Sequence, residues 1–348
     1  VTISRSGIAR PSSLTWIPST RSATSWKTRD GTLTAEYRHI PVLLDECIEA
    51  LDLRDGVTAL DCTLGGAGHS EAIARSIAPH GTLIGIDQDD MALEAAARRL
   101  GDAGLDSDPL LLKGNFADLD ELLVTARVPG VDAALFDLGV SSPQFDFPER
   151  GFSYREDAPL DMRMDPGTRT LTAAEILNSY TVDDLTRVLR DYGEEKWAAR
   201  IARFIVDARG EQPVNSTFQL VDIIKRAIPA NARKKGGHPA KRTFQALRIE
   251  VNHELDVLSR GLEAAIRWLN PGGKIAVISY HSLEDRIVKD CFRSMENPCT
   301  CPPEFPVCVC GKKPVLKVET RKPIIPATGE IEDNNRAHSA RLRVATKL

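Results

Sequence analysis

The sequence predicts an α/β fold with a doubly wound, mostly parallel sheet that is interrupted by a helical insertion. Short apolar runs alternate with segments of helical periodicity between residues 42 and 137. This alternation is typical of a parallel sheet with helices on both faces. From residue 145 to residue 245 the chain has helical periodicity without strands, and another apolar run follows at 274–280.

The first half of the sheet follows from apolar periodicity and turn residues. One helical face comprises Val42, Leu43, Cys47, Ile48 and Leu51. Buried strands are predicted over residues 56–61, 81–87, 110–112 and 131–137. Helices are predicted over residues 69–77 and 91–100, and the second is rich in the strong helix formers Ala, Leu, Glu and Arg.

The second half begins with a loop-like stretch rich in Pro and Gly, up to about residue 170. Helices are then predicted over residues 171–180, 182–192, 196–209 and 218–228. A long amphipathic helix is predicted over 251–269, and Asn270-Pro271-Gly272-Gly273 is expected to end it. The fifth predicted strand covers residues 274–280.

Three regions are expected from these patterns. Residues 1–36 are rich in Ser and Thr, have no apolar periodicity, and are expected to form a disordered N-terminal extension. An organelle transit peptide is the alternative for this segment. The main domain is expected to span residues 37–144 and 246–348, and the helical insertion residues 145–245.

Composition excludes several classes of protein. The 348 residues carry a formal net charge of −4, so a surface that is basic all over is excluded, whereas a local basic patch is not. The chain has no run of about 18 apolar residues, so no membrane-spanning helix is expected. Seven cysteines in this length do not make a secreted disulfide scaffold, which favours a cytoplasmic location. The oligomeric state stays open.

A glycine-rich turn joins the first strand to the following helix. It reads Gly65-Gly66-Ala67-Gly68, and Asp87 ends the second strand. Glycines let a ligand approach the backbone, and an acid about 20 residues later suits ribose hydroxyls. The pattern suits NAD or S-adenosylmethionine, and a turn without a ligand is the third reading. Glu71 replaces the last glycine of Gly-x-Gly-x-x-Gly and Asp61 precedes the turn, which favours S-adenosylmethionine.

Further candidate residues follow the third and fourth strands. Phe116 follows the third strand and either stacks on an adenine or belongs to the core. The fourth strand continues into Asp137-Leu138-Gly139-Val140-Ser141-Ser142-Pro143-Gln144. Enzymes that methylate amines place hydrogen-bond acceptors here, because acceptors on the N–H groups favour a pyramidal, more nucleophilic nitrogen. A capped turn without a catalytic role is the alternative.

Six motifs, in this order, make the chain resemble one family. They are His39-Ile-Pro-Val-Leu-Leu-Asp-Glu, Gly-Ala-Gly-His at 66–69, Asp-Leu-Gly-Val-Ser-Ser-Pro-Gln at 137–144, Pro-Leu-Asp-Met-Arg-Met-Asp at 159–165, Thr-Phe-Gln-Ala-Leu-Arg-Ile at 243–249 and Ser-Tyr-His-Ser-Leu-Glu-Asp-Arg at 279–286. From about Tyr37 to Arg343 the sequence is similar to the bacterial ribosomal RNA small subunit methyltransferase H family.

The resemblance implies a Rossmann-like class I methyltransferase fold with S-adenosyl-L-methionine as cofactor. It implies the N4 amine of a decoding-centre cytidine in 16S rRNA, in the small ribosomal subunit, as the substrate. The implied donor-binding residues are Ala67, Gly68, His69, Asp87, Phe116, Asp137 and Gln144. Asp137, Ser141, Ser142 and Pro143 are expected to border the target amine. The resemblance implies that family members often have Gly where this chain has Ala67. The methyl group of Ala67 leaves less room for the ligand than a glycine would.

A basic segment runs from the predicted insertion into the next helix and contains no acid. Its cations are Lys225, Arg226, Arg233, Lys234, Lys235, Lys241, Arg242 and Arg248. We expect Lys234, Lys235, Lys241 and Arg242 to contact RNA phosphates, with a merely solvated face as the alternative. Arg336, Arg341 and Arg343 are the next candidates.

Two motifs leave alternatives open. His281 follows the fifth strand and either contacts the substrate or caps the next helix. Cys299-x-Cys301 and Cys308-x-Cys310 have the composition of a four-thiolate zinc site. Their one-residue spacing is less typical than two, so thiols or a redox pair are favoured, and no metal is expected in the functional site.

Two other classes of function remain open at this point. An NAD-dependent oxidoreductase would use the same glycine turn, and measuring which cofactor binds separates it from a methyltransferase. A non-catalytic RNA-binding module for ribosome assembly would keep the basic segment but tolerate loss of the donor site.

Overall fold

The computed structural model describes residues 41–139, 147–233, 237–302, 304, 307, 309–334 and 336–348. The predicted N-terminal extension lies outside the described residues, as do Ser141, Ser142, Pro143, Gln144, Lys234, Lys235 and Cys308. The chain divides into a sheet unit, up to residue 139 and from 259 to 348, and a helical unit, residues 140–258. Among the described residues no helix is long and apolar enough to cross a membrane.

The sheet unit is built on a seven-stranded sheet in the order β3-β2-β1-β4-β5-β7-β6. Its strands are β1 Thr58–Asp61, β2 Thr82–Asp87, β3 Leu110–Lys113, β4 Val131–Asp137, β5 Leu269–Ser279, β6 Leu316–Val318 and β7 Arg341–Lys347. The first five strands pair in parallel, and β7 runs antiparallel to both β5 and β6. The predicted α/β class with a doubly wound, mostly parallel sheet is confirmed.

The described residues of the sheet unit form six complete α-helices. They are α1 Leu44–Leu51, α2 Gly68–Ile77, α3 Asp90–Asp102, α4 Leu119–Thr125, α12 Ser282–Glu296 and α13 Thr328–Asp333. Five of them, α1 to α4 and α12, bury apolar residues. The Asp89 side chain caps α3 by accepting from the Met91 backbone N–H. Because Leu43 adopts a left-handed conformation with φ 54°, α1 begins after Val42 and Leu43 rather than including them as predicted.

The centre of the sheet explains where a ligand can bind. Its strands are buried on both faces, with Leu60, Ile84, Phe136 and Val277 nearly inaccessible to solvent, as is usual for parallel strands covered by helices. The chain proceeds from β1 to β2 and β3 on one side, and from β4 to β5 on the other. The connection direction therefore reverses between β1 and β4, and ligands bind at the carboxyl ends of strands at such a reversal.

The helical unit contains α5 Ala173–Ser179, α6 Val182–Asp191, α7 Ala198–Glu211, α8 Thr217–Ala227, α9 Ala230–Arg233 and α10 Lys241–Asn252. Its core includes Leu177, Leu185, Leu189, Ile201 and Leu247. Capping boxes begin α5, with Thr172 and Glu175, and α8, with Ser216 and Gln219. Four helices were predicted between residues 171 and 228. Each begins and ends within two residues of the corresponding observed helix, α5 to α8.

The predicted start of the helix over residues 251–269 is wrong. The structure ends α10 at Asn252, turns at His253 with φ 52°, and begins α11 Glu254–Trp268. Apolar spacing continues across this turn, so periodicity does not reveal it. Phe244, Leu247 and Val251 pack in the helical core. The helical unit therefore ends at residue 258, within α11, and not at residue 245.

The sheet edge also differs from the prediction. Asn270-Pro271-Gly272-Gly273 does not separate α11 from β5 but lies within β5 as an irregular step. Leu269 pairs with Val131 and Lys274 with Ala133, so the four residues leave the regular ladder. Strands β6 and β7 were not predicted, because β6 has three residues and β7 contains three cations.

Asn252 generates a stability prediction for the helical unit. Its buried side chain accepts from the Met164 N–H at 2.8 Å and donates to the Met162 carbonyl at 2.8 Å. Asn252→Leu leaves both backbone groups without this partner, so we expect a loss of about 2–4 kcal/mol in the free energy of unfolding. Urea unfolding followed by circular dichroism measures it, with Asn231→Leu on the exposed part of α9 as the control.

Candidate functional site

Three acids end three neighbouring parallel strands of the sheet unit. Asp61 is the last residue of β1, Asp87 of β2 and Asp137 of β4. Strand β1 lies between the other two strands. The three carboxylates therefore share one rim of the sheet, at the reversal point between β1 and β4.

Asp61 is almost fully buried and holds the two sides of the glycine turn together. It accepts from the Ser70 hydroxyl at 2.6 Å, after the turn, and from the Thr63 N–H at 3.0 Å, before it. Burial raises the pKa of the Asp61 carboxyl, while these hydrogen bonds oppose the rise. The hydrogen bonds of Asp61 therefore fix the start of α2.

The glycine turn leaves space for a ligand at only part of its length. A side-chain carbon added at Gly66 would meet no atom within 4 Å, whereas one at Gly68 would collide with the Pro41 ring. Gly68 is therefore needed for close packing of Pro41, and Gly66 faces open space. Ala67 is buried with φ 57°, a left-handed conformation that costs a non-glycine residue about 1–2 kcal/mol.

Asp87 links β2 to both neighbouring turns. Its Oδ2 accepts from the Gly65 N–H at 2.9 Å and its Oδ1 from the Asp89 N–H at 2.9 Å. Burial raises the pKa of Asp87 to about 6, while the two backbone hydrogen bonds oppose the rise. Each carboxylate oxygen has a second lone pair, so the group can also accept from ligand hydroxyls.

Phe116 begins a short 3-10 helix after β3 and is only partly buried. The Phe116 ring meets the Phe136 ring edge-on, with centroids 5.4 Å apart. A side-chain carbon at Gly261 in α11 would collide with the Phe116 ring. The ring therefore packs against the sheet and is still partly open to solvent. Gly261 was not predicted, and the only signal in the sequence was a glycine within a helical pattern.

Asp137 contacts the polar side chains of Tyr280, Thr63 and His69. Its carboxylate Oδ1 accepts from the Tyr280 hydroxyl at 2.7 Å, and its backbone N–H donates to the Thr63 hydroxyl at 2.6 Å. His69 Nδ1 lies 3.5 Å from Asp137 Oδ2, and His69 Nε2 lies 3.0 Å from the Val42 carbonyl. A carbonyl only accepts, so Nε2 carries a hydrogen. The ring therefore directs Nε2 to the Val42 carbonyl and Nδ1 to the Asp137 carboxylate.

The surroundings of Asp137 raise the pKa values of Asp137 and of two neighbouring groups. Burial raises the pKa of Asp137, the nearby Asp61 charge adds to the rise, and His69 and Tyr280 oppose it. Burial, followed by the Asp137 charge, also raises the pKa of Tyr280 and of Cys47 well above their usual values. Tyr280 and Thr63 were not predicted, since nothing in the sequence relates them to Asp137.

The remaining predicted polar residues separate into caps, ion pairs and exposed cations. His281 caps α12, because its Nδ1 accepts from the Glu284 N–H in a capping box. Buried Arg343 donates to both carboxylate oxygens of Asp285, at 2.7 and 3.1 Å. Arg341 also donates to Asp285. Neither the Arg343 fork nor the His281 Nδ1 is therefore available to a substrate.

The basic segment is exposed over part of its length. Lys241 and Arg242 are exposed at the start of α10, and Arg242 donates to the Glu194 carbonyl at 2.9 Å. Arg248 is mostly buried and donates to both carboxylate oxygens of Glu254 at 2.8 Å. Lys225, Arg226 and Arg233 line an open groove of about 870 Å³ in the helical unit.

Comparisons with known proteins agree with each other. The model of the MraW methylase family matches residues 36–348. A Symbiobacterium thermophilum protein named "Ribosomal RNA small subunit methyltransferase H" is 54% identical over 312 residues, 90% of this chain and 97% of the relative. A Brevibacillus brevis protein of that name is 51% identical over 315 residues, 90% and 99% of the two chains.

A solved structure of an rRNA methylase from Streptococcus thermophilus shares 12% identity with this chain. It has a TM-score of 0.38, over 88% of this chain and 93% of that chain. A likeness this weak adds nothing to the family match.

Two glycines in helices of the sheet unit should respond oppositely to the same substitution. Gly261→Ala forces Phe116 to move, so we expect it to lower the melting temperature. Gly101→Ala in α3 meets no atom within 4 Å, so the gain in helix propensity should stabilise by about 0.5–1 kcal/mol. Thermal unfolding of both variants checks this, and equal shifts would contradict the close packing at Gly261.

Proposed function

The chain belongs to the MraW methylase family, and we propose that it transfers a methyl group from S-adenosyl-L-methionine to the N4 amine of a decoding-centre cytidine in 16S rRNA. One observation of the structure carries the proposal. Asp61, Asp87 and Asp137 end neighbouring strands beside a glycine turn, at the reversal point of the sheet. Such a rim is where doubly wound sheets bind nucleotide-like ligands.

The residues at the rim fit S-adenosylmethionine in shape and charge. Open space at Gly66 allows a ligand to approach the backbone, and Asp87 retains lone pairs for two ribose hydroxyls. The partly open face of Phe116 suits the adenine ring. The acids complement the positive charges of the sulfonium and amino groups. Ala67, Gly68 and His69 would lie toward the methionine end, with Gln144 as a further contact.

The residues after β4 act on the acceptor amine. When bound, S-adenosylmethionine supplies a methyl group on a positively charged sulfur. Asp137, with Ser141, Ser142 and Pro143, would border the cytidine amine and accept hydrogen bonds from its N–H groups. Those bonds favour a pyramidal nitrogen with a localised lone pair, and they orient it toward the methyl group. The Asp137 side chain is only 24% exposed, and its reduced contact with water strengthens the hydrogen bonds that it accepts.

The helical unit carries the cations that we assign to RNA. Lys241 and Arg242 are exposed, and Lys234 and Lys235 precede them in the same acid-free segment. Their charges would neutralise phosphates of 16S rRNA in the small ribosomal subunit. A cytidine within a helix has to be unstacked before its amine is reached, and protein contacts to the flanking backbone lower that cost.

Methylation of purified small subunits tests the function. The full chain, S-adenosylmethionine and subunits from a strain that lacks the enzyme should yield N4-methylated cytidine in 16S rRNA. Mass spectrometry of the digested nucleosides detects this product. A methylated nucleoside other than N4-methylcytidine would contradict the target. Donor binding without any methylated product would favour a non-catalytic assembly module, and NAD binding would favour an oxidoreductase.

Removal of the Asp87 carboxylate should weaken donor binding. Asp87→Ala removes a charged acceptor from two ribose hydroxyls, which we expect to cost about 1.5–3 kcal/mol in binding free energy. Calorimetric titration with S-adenosylmethionine measures the loss. Because Asp87 also holds the Gly65 and Asp89 N–H groups, the nearly isosteric Asp87→Asn, which keeps one of the two acceptor oxygens, should disturb the turns less than Asp87→Ala. Unchanged affinity in both variants would contradict the assignment.

Donor affinity should depend on pH through Asp87. Its folded-state pKa of about 6 means that the carboxyl takes up a proton as the pH falls through 6. Ribose hydroxyls bind the ionised form better, so affinity should fall about tenfold between pH 7 and pH 5. The dependence should be weaker in Asp87→Asn, which keeps Asp61 and Asp137 as the remaining titrating acids. The same pH profile in both proteins would exclude Asp87 as the cause.

The basic segment should set the salt dependence of RNA binding. Combined Lys234→Ala, Lys235→Ala and Lys241→Ala should reduce the logarithmic salt slope by about two to three units, because each lost phosphate contact removes about 0.7–0.9. Binding to 16S rRNA at several salt concentrations measures the slope. Donor affinity should be unchanged, and Lys289→Ala in the sheet unit is the control for charge. An unchanged slope would identify these lysines as a solvated face.

A further inference from the structure

Three cysteines lie together in the segment between α12 and β6, which the proposed function does not use. The Sγ atoms of Cys299, Cys301 and Cys310 all lie within 4.8 Å of one another. In a tetrahedral zinc site with Zn–S bonds of about 2.3 Å, the ligating sulfurs are about 3.8 Å apart. The three sulfurs are therefore gathered at a separation that small side-chain adjustments convert into metal ligation.

The backbone around these cysteines is shaped to support thiolates. The Val309 N–H donates to Cys301 Sγ at 3.3 Å, and hydrogen bonds to sulfur of this kind orient and stabilise ligating thiolates. Gly311 follows Cys310 directly with φ 67°, a left-handed conformation that turns the chain sharply after the third sulfur. The three sulfurs converge although Cys299 and Cys310 are eleven positions apart in the chain.

The described residues of this segment form no apolar core that would hold the arrangement. None of its described residues between 297 and 314 is buried, and Val307 and Val309 are 69% and 71% exposed. Its base is closed by the Val315 N–H, which donates to the Met295 carbonyl at 2.8 Å, and by the Val318 N–H, which donates to the Glu296 carboxylate. Because the described residues bury no apolar side chain, they need another source of stability, and structural metals supply one.

We propose that Cys299, Cys301 and Cys310 bind a structural zinc ion that folds the segment between α12 and β6. Three sulfur ligands without a carboxylate among them favour zinc over Mg²⁺ or Ca²⁺, which prefer oxygen. Each thiol releases its proton to solvent when it ligates the metal. The ion is separate from the donor site and has no part in methyl transfer. The spacing of the cysteines in the sequence favours free thiols or a redox pair. The convergence of the three sulfurs in the structure favours a bound metal.

Metal analysis of the full, untagged chain, purified without chelators and under reducing conditions, tests the proposal. Plasma mass spectrometry should find about one zinc per chain, and Cys299→Ser and Cys310→Ser should each reduce it below about a tenth. Cys291→Ser is the matched control, because this half-buried thiol of α12 lies outside the cluster and its loss should leave zinc unchanged.

Cobalt substitution keeps the test independent of how well each variant folds. Apo wild-type protein titrated with Co²⁺ should gain sulfur-to-metal charge-transfer absorption that saturates at about one equivalent, and zinc should abolish it. Absence of zinc together with absence of this absorption would overturn the proposal. Equal zinc content in wild type and the Cys299 and Cys310 variants would also overturn it. A disulfide within the cluster, found by mass spectrometry under glutathione-buffered conditions, would also overturn the proposal. The cysteines would then be a redox pair and not zinc ligands.

Discussion

Three carboxylates at one rim of the sheet, of which Asp61 is buried and Asp87 and Asp137 are partly buried, are the constraint on which the site depends. Unpaired charges are costly away from water, so each acid must be hydrogen-bonded. Asp61 binds Ser70 and Thr63, Asp87 binds two backbone N–H groups, and Asp137 binds Tyr280. Those bonds fix the turns after β1 and β2, so the same interactions that permit burial also shape the space for the methyl donor.

Close packing explains which small residues the site requires. Gly68 admits the Pro41 ring and Gly261 admits the Phe116 ring, whereas Gly66 faces open space. The turn therefore has open space at Gly66, whereas the space at Gly68 is filled by the Pro41 ring. Ala67 adopts a left-handed conformation that glycine would take without strain.

The cations predicted to bind RNA do not share one environment. Arg343 and Arg248 form two-pronged ion pairs with acids, so they stabilise the fold. Lys241 and Arg242 are exposed. Such side chains can contact a phosphate while losing little of their own hydration. Sequence clustering of positive charge therefore overstates the number of cations available to nucleic acid.

The sequence by itself determined the fold class, four of the parallel strands to within about two residues, and the acids and glycines at the strand ends, because these follow from local periodicity. It also identified the family. Tertiary structure alone decided that Tyr280 and Thr63 reach Asp137, that Gly261 supports Phe116, that His281 is a cap, and that three cysteines converge. These contacts join residues distant in the chain, and periodicity carries no information about such pairs.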